Sequence, residues 1–239
     1  MPASATHLTA LPFALPRPEC AQAWLDFDGT ITRGDFLDLL ISKYSRNDSW
    51  KLIEERWRLG LIGSAECLSL EFGLLDITPE QLAAELDAVQ LDPGAIALFR
   101  LLREFGVPVS VLSDGIDSFI IAILNKAGVA LPTIRANRIT HAGHRLTLSC
   151  PHSSRTCESA SAHCKCASKR DLGDKARTGI YVGDGRSDLC AARKASIVFA
   201  KGSLAQALAS EGRAFVRFDT LLDVEATLRT AWVPMIGVP

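Results

Sequence analysis

No run of about 18 uninterrupted apolar residues occurs in this sequence, so a membrane-spanning helix is not expected. The opening residues, MPASATHLTALPFALPRPE, lack the basic start and long apolar stretch of a secretory signal, and a cytoplasmic location is the expectation. An excess of one charge is also missing: 26 Lys and Arg stand against 27 Asp and Glu, a formal net charge of -1. No overall positive field draws such a chain to nucleic acid or to an anionic membrane, and neither is expected as a partner. There is no repeat and no low-complexity segment, and 48% apolar with 22% charged residues excludes disorder and collagen-like structure. The cysteines number 7, an odd count that argues against a secreted disulfide scaffold and for reduced thiols.

What is present is an alternation of strand and helix patterns. Ala21 to Leu25 is an apolar run ending in Asp26-Phe27-Asp28-Gly29-Thr30, which reads as a buried strand delivering carboxylates at its C-terminal end. Val107 to Leu112 reads as a second such strand, ending in Ser113-Asp114-Gly115. Thr178 to Val182 is a third, ending in Gly183-Asp184-Gly185-Arg186-Ser187-Asp188. Helices are expected over Ala95 to Phe105 and Ile116 to Lys126, each followed by a glycine. Strands near Ile197 to Ala200 and Ala214 to Val216, with helices near Leu204 to Ser210 and Leu221 to Thr230, continue the pattern. The expected fold is therefore α/β, a Rossmann-like parallel sheet with helices on both faces. Between Asp35 and Gln90 apolar residues recur at three- and four-residue spacing, a helical block inserted after the first strand. Residues 1–32 and 92–239 then make the core and 33–91 a small helical domain over its active edge. Ile134 to Leu148, with His141 to His144 as a turn, reads as a β-hairpin that would close over the site from the side opposite the helical block.

Three strand ends in one parallel sheet bring Asp26, Asp28, Ser113, Asp184 and Asp188 to one rim, where open α/β sheets place their chemistry. Carboxylates crowded in this way repel one another. A hard divalent cation relieves that repulsion, and in a cleft that also takes phosphate the expected ion is Mg²⁺. A carboxylate nucleophile that forms an aspartyl phosphate is one solution for phosphoryl transfer in such a place.

Asp26-Phe27-Asp28-Gly29-Thr30, Ser113, Lys169 and Gly183-Asp184-Gly185 followed by Asp188 resemble, in order and spacing, the four motifs of the haloacid dehalogenase-like phosphohydrolases. The helical insertion is similar to the cap of the branch typified by phosphoserine phosphatase. The resemblance implies a phosphatase with Asp26 as nucleophile and Asp28 as general acid and then base. It implies that Ser113 and Lys169 hold the phosphoryl oxygens, with Lys165 and Lys175 as the other candidate lysines. It further implies that Asp26, the backbone carbonyl of Asp28 and Asp184 hold Mg²⁺, and that Asp188 orients the lysine or the outer shell of the metal. Within the family, the stretch from Cys150 to Cys166 and the cap tryptophans Trp50 and Trp57 resemble the methylthiopentenyl-phosphate phosphatases of methionine salvage. Asp114 departs from that group and resembles the phosphoethanolamine and phosphocholine phosphatases.

A small phosphorylated metabolite is the expected partner, a methylthio-ketose phosphate first, with phosphoethanolamine, phosphocholine or phosphoserine as alternatives. The leaving group is expected to meet Asp35, Arg56, Trp57, Asp114 and Gly115 beside Ser113. Cys150, Cys157, Cys164 and Cys166 are enough soft ligands for a structural Zn²⁺, the other reading being a flap with reduced thiols. A non-catalytic module that binds a phosphorylated ligand is the rival from another class, and the presence of both Asp26 and Asp28 speaks against it. The apolar tail Val233 to Pro239 would serve a homodimer contact or pack on its own core in a monomer.

Overall fold

The computed structural model describes residues 11–142, 145–157 and 160–233. The expected turn residues Gly143 and His144 and the tail beyond Val233 lie outside them. At the centre is β1 (Ala21–Leu25), buried along its whole length. It pairs in parallel with β2 (Val109–Ile116) on one side and β5 (Thr178–Gly183) on the other. The strands β3 (Thr133–Ala142), β4 (Arg145–Ser149), β6 (Ile197–Ala200) and β7 (Val216–Arg217) complete a sheet of order β4-β3-β2-β1-β5-β6-β7. Only the β3–β4 pair is antiparallel, as the hairpin reading anticipates. Because β1 is flanked by strands from both directions of winding, the crevice beyond its C-terminal end is a switch point of the sheet.

Between β1 and β2 the chain forms α1 (Phe36–Tyr44), α2 (Ser49–Arg58), α3 (Ser64–Phe72), α4 (Pro79–Ala88) and α5 (Ala95–Glu104). Asp35 starts α1, its Oδ1 accepting the N–H groups of Leu37 at 2.9 Å and Asp38 at 3.0 Å. Thr78 and Gln81 form a reciprocal capping box at α4, with Pro79 in its first turn. The remaining helices are α6 (Asp117–Lys126), α7 (Lys165–Leu172), α8 (Leu189–Arg193), α9 (Gly202–Ser210) and α10 (Leu221–Trp232).

Alternation along β1 sends Ala21, Ala23 and Leu25 into a core with α5, α6 and α10, and Trp24 into a second core with α8 and α9. A third cluster joins Phe36, Leu40, Phe72 and Leu75 of the inserted helices to Ile116 and Phe119 of the sheet domain. Ile139, Leu146 and Leu148 of the β3–β4 hairpin pack on this third cluster. The hairpin thus lies against the inserted helices, with β4 beside Phe72 and Leu75, and not on the opposite side of the site as expected. Its apolar alternate face needed a partner, and the helical insertion supplies one. The second strand also differs from the expectation: it runs on from Leu112 to Ile116, with a register irregularity against β3 between those two residues. Such a bulge re-aims Ser113, Asp114 and Gly115 at the strand's end.

Candidate active site

Asp26 follows β1, its N–H bonded to the Val182 carbonyl of β5 at 2.9 Å. Its Oδ1 accepts the Phe27 N–H at 2.8 Å and the Lys165 ammonium at 2.6 Å. Lys165 also donates to Asp188 Oδ1 at 2.7 Å and to Ser187 Oγ at 3.1 Å. Burial works against the charge on Lys165, but the carboxylates of Asp188, Asp26 and Asp114 outweigh it and hold the ammonium well above its usual range. Asp188 is fully committed: Oδ1 takes the Tyr181 hydroxyl at 2.7 Å as well, and Oδ2 takes the N–H groups of Asp184 and Gly185, both at 3.0 Å. Asp184 receives the Thr30 hydroxyl at 2.9 Å. At Gly29, φ is +70° and a Cβ would come within 2.5 Å of Asp184 Oδ2, so the turn that brings the first strand's loop to Asp184 requires glycine.

Carboxylate oxygens of Asp26, Asp184 and Asp188 lie within 4.8 Å of one another, and this is the one such group among the described residues. Lys165 pairs with two of the three, and Asp184 has no ammonium in ion-pairing distance among the described residues. Burial first, then the charge of Asp188, pushes Asp26 well above its ordinary value, with Lys165 in opposition. Hard oxygen donors short of positive charge suit a small divalent cation, so the donor set fits Mg²⁺.

Asp28 is set differently. Its Oδ1 accepts the Phe36 N–H at 3.1 Å and its Oδ2 the Ser113 hydroxyl at 3.3 Å. Burial and then the charge of Asp35 raise it to about 8, against the Phe36 N–H. A carboxyl in that condition keeps a proton near neutrality. Ser113 Oγ in turn accepts the Gly115 N–H at 2.8 Å, and a Cβ on Gly115 would meet Asp28 Oδ2 at 2.8 Å and Ser113 Oγ at 2.9 Å. The space beside Gly115 is therefore a cradle that a side chain would fill.

A segment before α7 closes the site's flank. The His163 N–H donates to Asp114 Oδ1 at 2.7 Å, and the Ala162 N–H to Ser64 Oγ at the start of α3 at 2.6 Å. The His163 ring lies between the Ser113 carbonyl (Nδ1, 2.8 Å) and the Ser168 hydroxyl (Nε2, 2.7 Å). A carbonyl only accepts, so Nδ1 carries the proton and Nε2 accepts from Ser168.

Asp26, Asp28, Ser113, Lys165 and Asp184 open on one cavity of about 310 Å³ between the sheet edge and α1–α3. Asp35, Trp57, Ser113, Asp114 and Gly115 line it as expected. Three expected residues do not: Asp188, which is fully buried beneath the wall, Lys169 and Arg56. Lys169 lies one helical turn beyond Lys165 on α7, about 6 Å further along the axis. Its Nζ donates to the carbonyls of Ala191 and Lys194 and sits 5.1 Å from the centre of the Trp24 ring. Lys165, the neighbour of the two cysteines, stands where Lys169 was expected. Arg56 turns outward toward Glu66, 3.9 Å away, because Glu54 and Trp57, three apart on α2, share the inward face. The expected zinc set fails as well. Cys164 Sγ lies 3.4 Å from Cys166 Sγ, Cys164 also pairs with Cys157, and Cys166 pairs with Cys190. These contacts form a chain of thiols, and no group of three or more sulfur ligands closes among the described residues.

Sequence reasoning missed Asp38, Glu54, Ser64, Cys67 and Glu71, all on the cavity wall. Their helical spacing gave no sign of which face the sheet would meet. Tyr181 was hidden by its place inside an apolar strand.

A doubly wound sheet with an aspartate-rich rim and a helical insertion above it defines a class of hydrolase, and the sequence pattern of the haloacid dehalogenase-like hydrolases matches residues 23–193. The chain belongs to that family. It is a phosphatase. A 2-hydroxy-3-keto-5-methylthiopentenyl-1-phosphate phosphatase of Exiguobacterium sp. is 26% identical over 207 residues, covering 85% of this chain and 95% of the relative. The protein of the same name from Bacillus cereus strain B4264 is 27% identical over 217 residues, covering 87% and 95%. A solved structure described as a phospho-aspartyl intermediate analogue of phosphoserine phosphatase matches with a TM-score of 0.69 at 19% identity, over 87% of this chain and 98% of that one. At that identity the likeness concerns the fold.

Proposed function

We propose that the protein is a Mg²⁺-dependent phosphomonoesterase that hydrolyses a small phosphorylated metabolite through an aspartyl phosphate on Asp26. The observation that carries the reading is the pairing of two differently set carboxylates at one strand end. Asp26 is bonded to Lys165 within the carboxylate cluster, whereas Asp28 stands apart from that ammonium, held by Ser113 and the Phe36 N–H on the side where the leaving group would lie. In the first step an Asp26 oxygen attacks phosphorus and Asp28 gives its proton to the departing alkoxide, so the alcohol leaves neutral. In the second step Asp28 takes a proton from water as that water attacks the same phosphorus, and inorganic phosphate leaves with Asp26 restored. Ser113 and Lys165 hold the phosphoryl oxygens, the donor array that charge development on those oxygens requires. Asp188 positions Lys165, since each of its oxygens is already taken by the ammonium, Tyr181 or the loop N–H groups. Asp26, Asp184 and the backbone carbonyl of Asp28 would hold Mg²⁺, which when bound neutralises phosphoryl charge.

The alcohol is read from the walls of the cavity. The relatives named above support a methylthio-ketose ester, whose neutral tail would rest on Trp57 and Leu68. The acidic residues of α1–α3 favour a second reading, an ester of an amino alcohol. The reaction itself is tested by phosphate release from nitrophenyl phosphate. Turnover that needs Mg²⁺ and disappears after chelation is expected, and undiminished turnover in chelator would overturn the metal assignment.

A further inference from the structure

Ser113 and Lys165, the side chains assigned above to the phosphoryl oxygens, reach the site from different elements: the bulged end of β2 and the first turn of α7. The end of β2 has little support from its own sheet. Its ladder to β1 ends at Val111, and its ladder to β3 passes from Leu112 to Ile116, skipping Ser113, Asp114 and Gly115. Side chains hold the skipped residues instead. Asn137 Nδ2 donates to the Asp114 carbonyl at 2.6 Å. His163 makes two further bonds, its N–H to Asp114 Oδ1 at 2.7 Å and its Nδ1 to the Ser113 carbonyl at 2.8 Å.

His163 is fully buried and is not on the cavity wall, so its ring touches no substrate. It stands two residues before Lys165, and its second nitrogen returns to the helix that carries that lysine: Nε2 accepts the Ser168 hydroxyl of α7 at 2.7 Å. That bond fixes the tautomer. A hydroxyl donating to Nε2 leaves the proton on Nδ1, the nitrogen that faces the Ser113 carbonyl. The ring is thus held at both ends, one on the strand that carries Ser113 and the other on the helix that carries Lys165. Rotation of the peptide between Ser113 and Asp114 would carry the Gly115 N–H away from the Ser113 hydroxyl, which it meets at 2.8 Å, and would free that hydroxyl from its line to Asp28 Oδ2.

We propose that His163 is a positioning residue for the phosphoryl transfer, its Nδ1–H holding the Ser113 peptide so that the Ser113 hydroxyl and the Lys165 ammonium meet the same phosphoryl group. This rests on the phosphomonoesterase reading above and adds to it a residue that acts through Ser113. Displacing a catalytic group by about 1 Å costs up to about 100-fold in rate, so loss of the ring's hold is large enough to read in the kinetics.

Three replacements separate the two ring nitrogens. The amide nitrogen of His163→Asn can stand where Nδ1 stands and keep the bond to the Ser113 carbonyl, that of His163→Gln reaches the place of Nε2 instead, and His163→Leu fills neither. The backbone N–H to Asp114 remains in all three. Nitrophenyl phosphate turnover gives kcat and KM, and inorganic phosphate as a competitive inhibitor reports binding in the cradle. The expected result is that His163→Leu and His163→Gln each raise Ki for phosphate and lower kcat/KM by about tenfold or more, while His163→Asn stays within about threefold of wild type in both. A merely structural role would lower the urea midpoint of the variants without ranking their kinetics by nitrogen. Circular dichroism checks the fold, and if His163→Leu does not fold, the comparison of His163→Asn with His163→Gln decides. A folded His163→Gln with wild-type Ki and kcat/KM would overturn the proposal, and so would a folded His163→Asn as impaired as His163→Gln. Failure of the wild-type protein to turn over nitrophenyl phosphate would take down the phosphomonoesterase reading itself, and this proposal with it.

Discussion

Two lysines four residues apart have different fates. Lys165 is 3% exposed among carboxylates, whereas Lys169 sits over Trp24 with its charge disfavoured, lowered to about 8 by burial. Replacing Lys165 by Ala should lower kcat/KM by about 100-fold or more, the loss expected when a phosphoryl-oxygen donor is removed, and Lys169→Ala should stay within a few-fold of wild type. Steady-state phosphate release on purified variants reads both numbers. A second residue-scale prediction separates attack from protonation. Asp28→Asn should slow the first step for an alkyl phosphate by about 100-fold or more while sparing the initial burst of nitrophenol from nitrophenyl phosphate, whose leaving group needs no proton, and should slow the second step for both esters alike. Equal losses of the first step on the two esters, read by rapid quench, would remove Asp28 from the acid's place. At this scale the carboxylates were legible in the sequence because they end apolar strands. The lysine was not, since Lys165, Lys169 and Lys175 lie in a segment whose helix register the sequence leaves undetermined, and a shift of one turn moves an ammonium by about 6 Å.

Besides the apolar cluster, hydrogen bonds join the elements that set the site. The segment before α7 bonds to the first turn of α3 through Ser64 and to the bulged end of β2 through Asp114, so it ties the inserted helices to the phosphate cradle. Gly63 is packed at this junction, where a Cβ would meet the Ala160 carbonyl at 2.9 Å. Ser64→Ala leaves the buried Ala162 N–H without its acceptor and should cost about 1–3 kcal/mol in stability, read as a lowered midpoint in urea. An unchanged midpoint would mean that the junction contributes nothing. Strand and helix alternation made the sheet readable, and Ile197–Ala200 has the very bounds expected. The placement of the hairpin against the insertion was not readable, because periodicity tells which residues of a strand share a face and not which element covers that face.

For the whole molecule, stability should fall in mild acid through a buried neutral imidazole. His163, fully buried and lowered to about 3 chiefly by burial, stays neutral in the fold, whereas in the unfolded chain it takes up a proton near its ordinary value of 6.5. The unfolded state therefore binds more protons between those limits. The contribution is fully present above pH 6.5 and is lost as pH falls toward 3, on the order of 2 kcal/mol by pH 5. Urea unfolding at pH 7 and pH 5 should show a smaller acid loss in His163→Asn than in wild type, and an equal loss in both would refute the assignment.

The sheet, the insertion and the buried histidine all serve one rim of carboxylates, where Asp26 is expected to become covalently phosphorylated. The direct measurement is borohydride trapping during turnover with Mg²⁺ and nitrophenyl phosphate, followed by peptide mass spectrometry. Acyl phosphates are reduced where free carboxylates are not, so the peptide carrying Asp26 should show homoserine at that position, in the presence of substrate only. Turnover without homoserine at position 26, or with it at another aspartate, would exclude Asp26 as the nucleophile.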